Sequence, residues 1–190
     1  VWDYDWEMTY QTRWDADRPV SAWMTGAEIG LEQPNVAWEP RVFLGIDAAS
    51  GDRKPDSGVV RTYDPLFRWN HGFFGQADIV GRQNILGPFA GVRFYPAEDL
   101  RVRLAYHGFW KAARQDAAFT PGGGIFLPAD PSASAYIASE LDINLRWEAT
   151  EHWTFGAGYS HAWAGSEVRR QLPGADGELH FGYLMTTWRY

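Results

Sequence analysis

The sequence predicts an all-β fold, a transmembrane antiparallel up-and-down β-barrel with eight strands in this chain. Polar and apolar residues alternate along eight segments, tryptophans gather at the ends of those segments, and short connections mostly alternate with long ones. Because successive side chains of a strand point to opposite faces, each segment has one apolar and one polar face. We expect the segments to form a single domain over residues 1–190.

The first segment, VWDYDWEMTYQTRW (1–14), has the most complete alternation. Its even positions from Trp2 to Trp14 are aromatic, Met or Thr, whereas its odd positions from Asp3 to Arg13 are charged, Thr or Gln. A soluble sheet would bury the aromatic face in a protein core, and a membrane barrel would turn that face to lipid. The alternation recurs in residues 21–32, 37–48, 87–96, 100–112, 140–148, 153–163 and 182–190.

The connections between these segments differ in length. Short ones cover residues 32–35, 96–99 and 149–152, and long ones rich in Gly, Pro, Asp and Ser cover 48–83, 114–135 and 165–178. Residues 15–19 are the exception, a short connection on the side of the long ones. Outer-membrane barrels have short periplasmic turns and long extracellular loops. An even number of strands therefore predicts that both chain termini are periplasmic.

The tryptophans favour lipid, rather than a protein core, as the neighbour of the apolar face. Ten of the eleven, all but Trp69, lie on that face. Aromatic rings at segment ends form girdles among lipid headgroups. The predicted girdle residues are Trp2, Trp38, Trp147, Trp153, Trp188 and Tyr190 toward the short turns, and Trp14, Trp23, Trp110 and Trp163 toward the long loops. The aromatic last strand, typical of outer-membrane proteins, predicts two partners: outer-membrane lipid and the barrel assembly machinery.

Composition argues against several other classes of protein. No apolar run approaches the roughly 18 residues that a spanning helix needs. The net charge of −7 argues against nucleic acid as a partner, and the absence of Cys excludes a metal–thiolate site. The hydrolase motifs G-x-S-x-G and H-E-x-x-H are absent, so we expect neither an enzyme nor a cofactor.

The longest connection carries the most distinctive sequence in the chain. DAASGDRKPDSG (47–58) precedes TYDPLFRWNHGFFGQADIVGRQN (62–84), and together they resemble the alginate export family of outer-membrane barrels. The matching positions are Asp47, Ser50, Gly51, Asp52, Tyr63, Asp64, Pro65, Leu66, Phe67, His71, Gly75, Asp78 and Asn84. The likeness covers residues 38–190, although RWN (68–70) replaces a turn that is more often Pro-Thr-Gly-like in the family.

The resemblance implies an outer-membrane, porin-like channel that passes an anionic uronic-acid polysaccharide. It also implies about twice as many strands as this chain has, since eight strands enclose a lumen that side chains nearly fill. Two alternatives follow. The chain is the C-terminal half of a larger, anion-transporting barrel, or it is a small closed barrel with a structural role.

Basic residues on the polar face are candidates for guiding an anionic substrate, because guanidinium groups bind carboxylates bidentately. The predicted lumen residues are Arg41, Arg93, Arg101, Arg103, His107, Lys111 and Arg146, with Arg13 and Arg189 on the same face. The alternative is internal pairing with Glu28, Glu39, Asp47, Glu140, Asp142 and Glu148, which a closed barrel favours. A larger barrel favours unpaired cations at Arg101, Arg103 and Lys111, which share one segment.

Acidic and histidine residues in the long connection suggest two further kinds of site. Asp47, Asp52 and Asp56 could bind calcium, but their spacing favours a turn-capping role, and we expect no metal. Asp64, His71 and Asp78 could serve acid–base chemistry, but no nucleophile stands at motif spacing from them. We therefore expect the segment that contains these three residues to fold the loop inward, where the loop constricts the pore or packs against its wall.

Overall fold

The computed structural model describes residues 1–13, 17–68, 72–171 and 176–190. In chain order the strands are β1 (Trp2–Arg13), β2 (Val20–Glu32), β3 (Arg41–Ala49), β4 (Ile85–Ala97), β5 (Leu100–Lys111), β6 (Ala118–Phe119), β7 (Ile125–Leu127), β8 (Tyr136–Trp147), β9 (Trp153–Ala164) and β10 (Glu178–Trp188). A 3-10 turn (Pro55–Ser57) and the helix α1 (Ser166–Gln171) complete the described elements. No helix among the described residues has the length and apolar character required to cross a membrane.

Eight strands form one antiparallel sheet in the order β1-β2-β3-β4-β5-β8-β9-β10. The prediction of an all-β chain with eight antiparallel strands is therefore confirmed. Three boundaries differ by four residues, because β3 begins at Arg41 rather than at residue 37, β8 at Tyr136 rather than at residue 140, and β10 at Glu178 rather than at residue 182. Trp38 precedes β3 with a φ of 69°, in a turn where Pro40 has no N–H for a strand ladder.

The sheet does not close into a barrel within the described residues. Its edge strands, β1 and β10, pair only with β2 and β9, respectively. The predicted barrel is thus corrected to an open sheet within the described residues, and of the two alternatives a closed eight-stranded barrel is not observed there. The connection between β3 and β4 accounts for the difference, because it packs against one face of the sheet. The lumen of a closed eight-stranded barrel has no space for such a segment.

The two faces of the sheet differ in what covers them. The inner face, which the β3–β4 connection contacts, carries the polar positions of the alternation, and Asp47 and Asp142 are buried there. The outer face exposes the apolar positions, including Trp6 on β1, Leu44 on β3 and Tyr106 on β5. The alternation in the sequence predicted this division of the side chains.

The buried apolar core lies at the end of the sheet where the long connections emerge. Met24, Ile85 and Phe109 pack there with Phe74 and Val80 from the β3–β4 connection. The ring centres of Phe74 and Phe109 are 6.5 Å apart. Burying each large apolar side chain contributes about 1.5–3 kcal/mol, so this core fixes the connection on the inner face.

Candidate functional site

Five arginines form a continuous patch on the inner face, toward the end of the sheet that carries the short turns. Arg41 on β3 lies opposite Arg93 on β4, and Arg93 lies opposite Arg103 on β5. Arg101, also on β5, lies opposite Arg146 on β8. Directly opposed residues of neighbouring strands share a face, so the five guanidinium groups are neighbours. We refer to these five residues as the arginine patch.

Carboxylates neutralise three members of the arginine patch. The pairs are Arg41 with Asp3 (2.8 Å) and Glu28 (2.7 Å), Arg93 with Glu32 (2.9 Å), and Arg146 with Glu148 (3.0 Å). Like charges on opposed positions of neighbouring strands repel, so these carboxylates stabilise the patch. Glu28 and Glu148 belong to the predicted set of internal partners, whereas Asp3 and Glu32 do not.

The other two members, Arg101 and Arg103, have no carboxylate at ion-pair distance within the described part of the chain. Arg101 is exposed and Arg103 is half-buried. The guanidinium carbon of Arg103 lies 4.8 Å from the ring centre of Phe43, a cation–π contact that orients the side chain without neutralising it. Two guanidinium groups of the patch are therefore without a direct ion pair, although Glu28 and Asp142 act on Arg103 at longer range.

A polar cavity of about 210 Å³ adjoins these two arginines. Gln76 from the β3–β4 connection, Asn144 and Tyr183 also line it, and the Tyr183 hydroxyl donates a hydrogen bond to Asn144 Oδ1 at 2.9 Å. Arg146, which pairs with Glu148, lines the cavity as well, so the cavity combines three cationic donors with neutral amide and hydroxyl groups. This combination suits a ligand that carries both carboxylate and hydroxyl groups.

Charge separates along the inner face. A second cavity of about 250 Å³ lies toward the long-loop end, and its charged lining consists of Asp5, Glu7, Glu28, Asp47 and Arg103, with His107 beside them. Arg103 lines both cavities, so it marks the boundary between a cationic and an acidic region.

His107 and Lys111, two of the predicted substrate-guiding residues, are buried. The His107 ring lies between Phe89 and Phe109, with ring centres 5.6 Å and 6.1 Å away, and its Nε2 is 3.5 Å from Asp142. The Lys111 ammonium donates to backbone carbonyls of the β5–β6 connection at 3.3 Å and 3.5 Å. His107 therefore meets the inner face only at the edge of the acidic cavity, and Lys111 is turned toward backbone carbonyls. A substrate-guiding role for these two residues stays a prediction.

Polar contacts hold the β3–β4 connection against the inner face. Glu140 on β8 accepts a hydrogen bond from the backbone N–H of Ala77 at 2.8 Å. Arg82 donates to Asp47 on β3 at 2.6 Å and lies 2.9 Å from Glu7 on β1. The connection therefore packs on the wall of the sheet, which is one of the two arrangements that the sequence predicts for it.

The family model for alginate export matches residues 1–180. The chain belongs to the alginate export family. The match includes β1 and β2, which lie outside the likeness recognised in the sequence. Alginate export proteins form an outer-membrane family of porin-type transporters, not an enzyme family. A comparison with curated proteins finds no match.

The Tyr-Asp-Pro-Leu box of the alginate export motif joins the connection to β1. The backbone N–H of Asp64 donates to the Gln11 side chain at 3.0 Å, and the Gln11 amide donates back to the Asp64 carbonyl. Tyr63 is buried, and this burial raises the pKa of its phenol. Pro65 is half-buried, whereas Leu66 is 89% exposed. His71 lies outside the described residues.

The last two residues of the alginate export motif, Asp78 and Asn84, have left-handed backbone conformations. Asp78 and Asn84 have φ values of 51° and 48°, in the left-handed region, and Asp78 is exposed. Asn84 is fully buried, where its amide donates to the carbonyls of Ala113 at 2.9 Å and Ala117 at 2.8 Å. Asn84 also accepts from the Ala113 N–H at 2.7 Å, so it links the β3–β4 and β5–β6 connections.

The three aspartates considered for calcium do not cluster within the described part of the chain. Asp47 binds Arg82 on the inner face. Asp52 accepts from the Lys54 N–H at 2.8 Å, and Asp56 is exposed in the 3-10 turn. The contact of Asp52 agrees with the turn-capping role that the sequence favours.

The described tryptophans of the predicted girdles lie near the ends of the sheet. Trp153 and Trp188 are cross-strand partners at the short-turn end. Also toward that end are Trp2, Trp38, Trp147 and Tyr190, and toward the long connections are Trp23, Trp110 and Trp163. Trp14 lies outside the described residues. Contact of these rings with lipid headgroups stays a prediction.

Several contacts at this site were not predicted from the sequence. Arg82 lies inside the alginate export stretch without being one of its motif positions, and it binds carboxylates on both β1 and β3. Asp116 accepts hydrogen bonds from the Asp52 N–H at 2.8 Å and from the Thr62 hydroxyl. The sequence contains a signal that could have identified Arg82. It is a basic residue in a connection that is expected to fold toward the acidic faces of the strands.

Proposed function

We propose that the inner face of this sheet lines an outer-membrane channel for an anionic polysaccharide or small anions, and that Arg101 and Arg103 contact the anion. The observation that carries the proposal is the arginine patch, in which these two guanidinium groups have no carboxylate partner among the described residues. Membership of the alginate export family supports the same function.

The geometry of the patch fits transport better than tight capture. Cations without a direct ion pair, beside a low-dielectric wall, raise the local concentration of anions. Arg41, Arg93 and Arg146 are neutralised by carboxylates, so a carboxylated sugar meets two arginines without an ion-pair partner in the described chain rather than five. A site of this strength attracts an anion and still releases it to the next position along the channel.

Strand length and outer-face composition support membrane crossing. Six of the eight long strands contain 12 or 13 residues. At a rise of about 3.3 Å per residue and a tilt of about 45°, such a strand spans roughly 28 Å, close to the apolar band of about 25 Å. With the strands crossing the membrane and the long connections outside, the short turns and both termini are periplasmic. The arginine patch then lies at the periplasmic entrance.

The open edges of the sheet favour a channel wall over a sealed scaffold. β1 and β10 each have an edge without a strand partner in the described chain, and an unpaired edge cannot face lipid. We therefore infer that further strands complete a barrel wider than eight strands, and that the assembly machinery engages β10. The runner-up, a small closed structural barrel, requires β1 to pair with β10.

Planar-bilayer recordings test the proposal. In a KCl gradient the barrel that includes the further strands should conduct and prefer anions, and R101Q/R103Q in it should shift the reversal potential toward cation selectivity. The matched control is R53Q/K54Q, which removes the same charge from exposed positions in the β3–β4 connection and should leave selectivity unchanged. Absence of steady current, or unchanged selectivity in folded R101Q/R103Q, contradicts the proposed function.

A further inference from the structure

Three ionisable side chains interrupt the apolar outer face at one place, on the hairpin of β9 and β10. His161 lies on β9, and Glu178 and His180 lie on β10. On the same face, the remaining positions of the eight described strands hold apolar, aromatic, Gly, Pro, Ser or Thr residues. Glu178 is the cross-strand partner of the girdle residue Trp163, so the cluster lies toward the long-loop end of this face, beside the predicted headgroup level.

The three side chains converge on a common point. His161 is the cross-strand partner of His180. Glu178 Oε2 lies 3.1 Å from His161 Nε2 and 3.8 Å from His180 Nε2, and one ligand atom from each residue lies within 4.8 Å of the others. Tetrahedral zinc, with bonds of about 2.0–2.1 Å, holds its ligand atoms roughly 3.3 Å apart. The two distances to Glu178 Oε2, 3.1 Å and 3.8 Å, lie on either side of that separation.

Neighbouring aromatic residues orient both imidazoles. The Tyr159 hydroxyl lies 2.7 Å from His180 Nδ1. When Nδ1–H donates to that hydroxyl, the lone pair of Nε2 is free and points toward Glu178, as in metal sites whose second histidine nitrogen is held by an outer partner. The His161 ring stacks on Trp163, with ring centres 4.3 Å apart, which fixes its direction as well.

We propose that His161, Glu178 and His180 form a binding site for a borderline divalent transition metal such as Zn²⁺. Two imidazole nitrogens and one carboxylate oxygen are ligands that Zn²⁺ prefers, whereas Ca²⁺ and Mg²⁺ prefer oxygen alone. Water completes the coordination. The bound ion links the edge strand β10 to β9 at the long-loop end, on the face opposite the arginine patch, so the site is independent of the proposed transport function.

Calorimetric titration of ZnCl₂ into the detergent-solubilised protein, prepared without an oligohistidine tag, tests the site. We expect one Zn²⁺ per chain. H161A and H180A should each weaken binding about 100-fold or more, because two protein ligands remain. Y159F removes only the outer partner of His180 and should weaken binding about 10–100-fold.

H152A is the matched control. His152 also lies beside a carboxylate, 3.4 Å from Glu151, but at the short-turn end and without a third ligand in the described chain. Its substitution should leave Zn²⁺ affinity unchanged. As a second readout, Zn²⁺ should raise the melting temperature of the parent protein and of H152A, but not of H161A/H180A. No saturable binding, or equal affinity in the folded H161A/H180A variant, overturns the proposal.

Discussion

Arg82 donates a hydrogen bond from Nη2 to Asp47 Oδ1 at 2.6 Å on the inner face of the sheet. Asp47 is only 3% exposed, and Arg82 also lies 2.9 Å from Glu7 on the edge strand β1. One side chain of the β3–β4 connection therefore binds two strands that are not adjacent in the sheet. This relationship explains how a long connection keeps a defined position on the inner face.

Substitution of Arg82 should destabilise the protein strongly. R82Q leaves the buried Asp47 carboxylate without its cation, and breaking such a pair costs on the order of 3–5 kcal/mol. D47N/R82Q should recover much of this loss, since the amide needs no cation. Chemical unfolding in detergent measures both values. A loss in D47N/R82Q equal to or greater than that in R82Q contradicts the assigned role.

Asn84 should be similarly sensitive to substitution. N84A removes three hydrogen bonds and leaves buried backbone groups of the β5–β6 connection unpaired, at about 1–3 kcal/mol for each group. N84D keeps an acceptor for the Ala113 N–H but places a carboxylate oxygen against two carbonyls. We expect both variants to melt at lower temperature. An unchanged melting temperature in either variant would show that the two connections are linked by other contacts.

The strands could be predicted from the sequence because one physical rule acts at every residue. A side-chain period of two is local, so residues 21–32 of β2 already assign Trp23 and Ile29 to the outer face and Met24 to the inner face. The alternation rule fails where residues that favour a turn follow the same alternating pattern. Trp38 continues the alternation of β3 but lies in the preceding turn beside Pro40.

The arginine patch could be predicted only in part, because it depends on register. Alternation places Arg41, Arg93 and Arg103 on the inner face, but their direct opposition follows from the turns and bulges that align neighbouring strands. Which cations are neutralised depends on residues outside the predicted set, such as Asp3 on β1. Closure is likewise nonlocal, since it requires the first and last strands to meet.

Gly75 should be far less tolerant of substitution than another glycine of the same connection. Gly75 has a φ of 79°, and a Cβ at this position would lie 2.5 Å from Glu140 Oε1. G75A therefore adds strain and displaces the carboxylate that accepts from Ala77. Gly58 has a similar φ of 76° but no atom within 4 Å of its Cβ position.

The comparison between these two glycines separates backbone strain from steric displacement. G58A should cost about 1–2 kcal/mol, the penalty of the left-handed backbone alone. G75A should cost clearly more and should also increase hydrogen exchange at the Ala77 amide. Equal losses of stability in the two variants would mean that Glu140 is not part of the effect.

Acidification should loosen the helix α1. Glu167 accepts hydrogen bonds from Arg170 at 2.6 Å and from Gln171 at 2.6 Å. The bond from Arg170, and to a smaller extent the bond from Gln171, holds the pKa of Glu167 below its ordinary value of 4.5. A lowered pKa means that the contribution to stability is present above pH 4.5 and is lost as the pH falls through the pKa of the folded state.

Hydrogen exchange, corrected for intrinsic rates, measures this effect. Protection of the α1 amides should fall in acid, and E167Q should show the reduced protection already at pH 7. E98Q, an exposed substitution in the turn between β4 and β5, should behave like the parent protein. Protection in E167Q that matches the parent at pH 7 contradicts the assignment.

Substitutions in the arginine patch should change stability in opposite directions. Loss of an arginine without an ion pair should stabilise the protein, and loss of a paired arginine should destabilise it. Arg103 faces Arg93 directly across the strands and has no carboxylate partner in the described chain, so R103Q removes a repulsion of about 0.2–1 kcal/mol. R41Q instead removes a cation that binds Asp3 and Glu28, both partly exposed, and should cost about 1 kcal/mol.

At low salt we expect R103Q to unfold at higher denaturant concentration than the parent, and R41Q at lower. Because salt screens both effects, the three curves should converge near 1 M NaCl. If R103Q is destabilised as much as R41Q, Arg103 has a neutralising partner, and the cation without an ion pair on which the proposed function rests is absent.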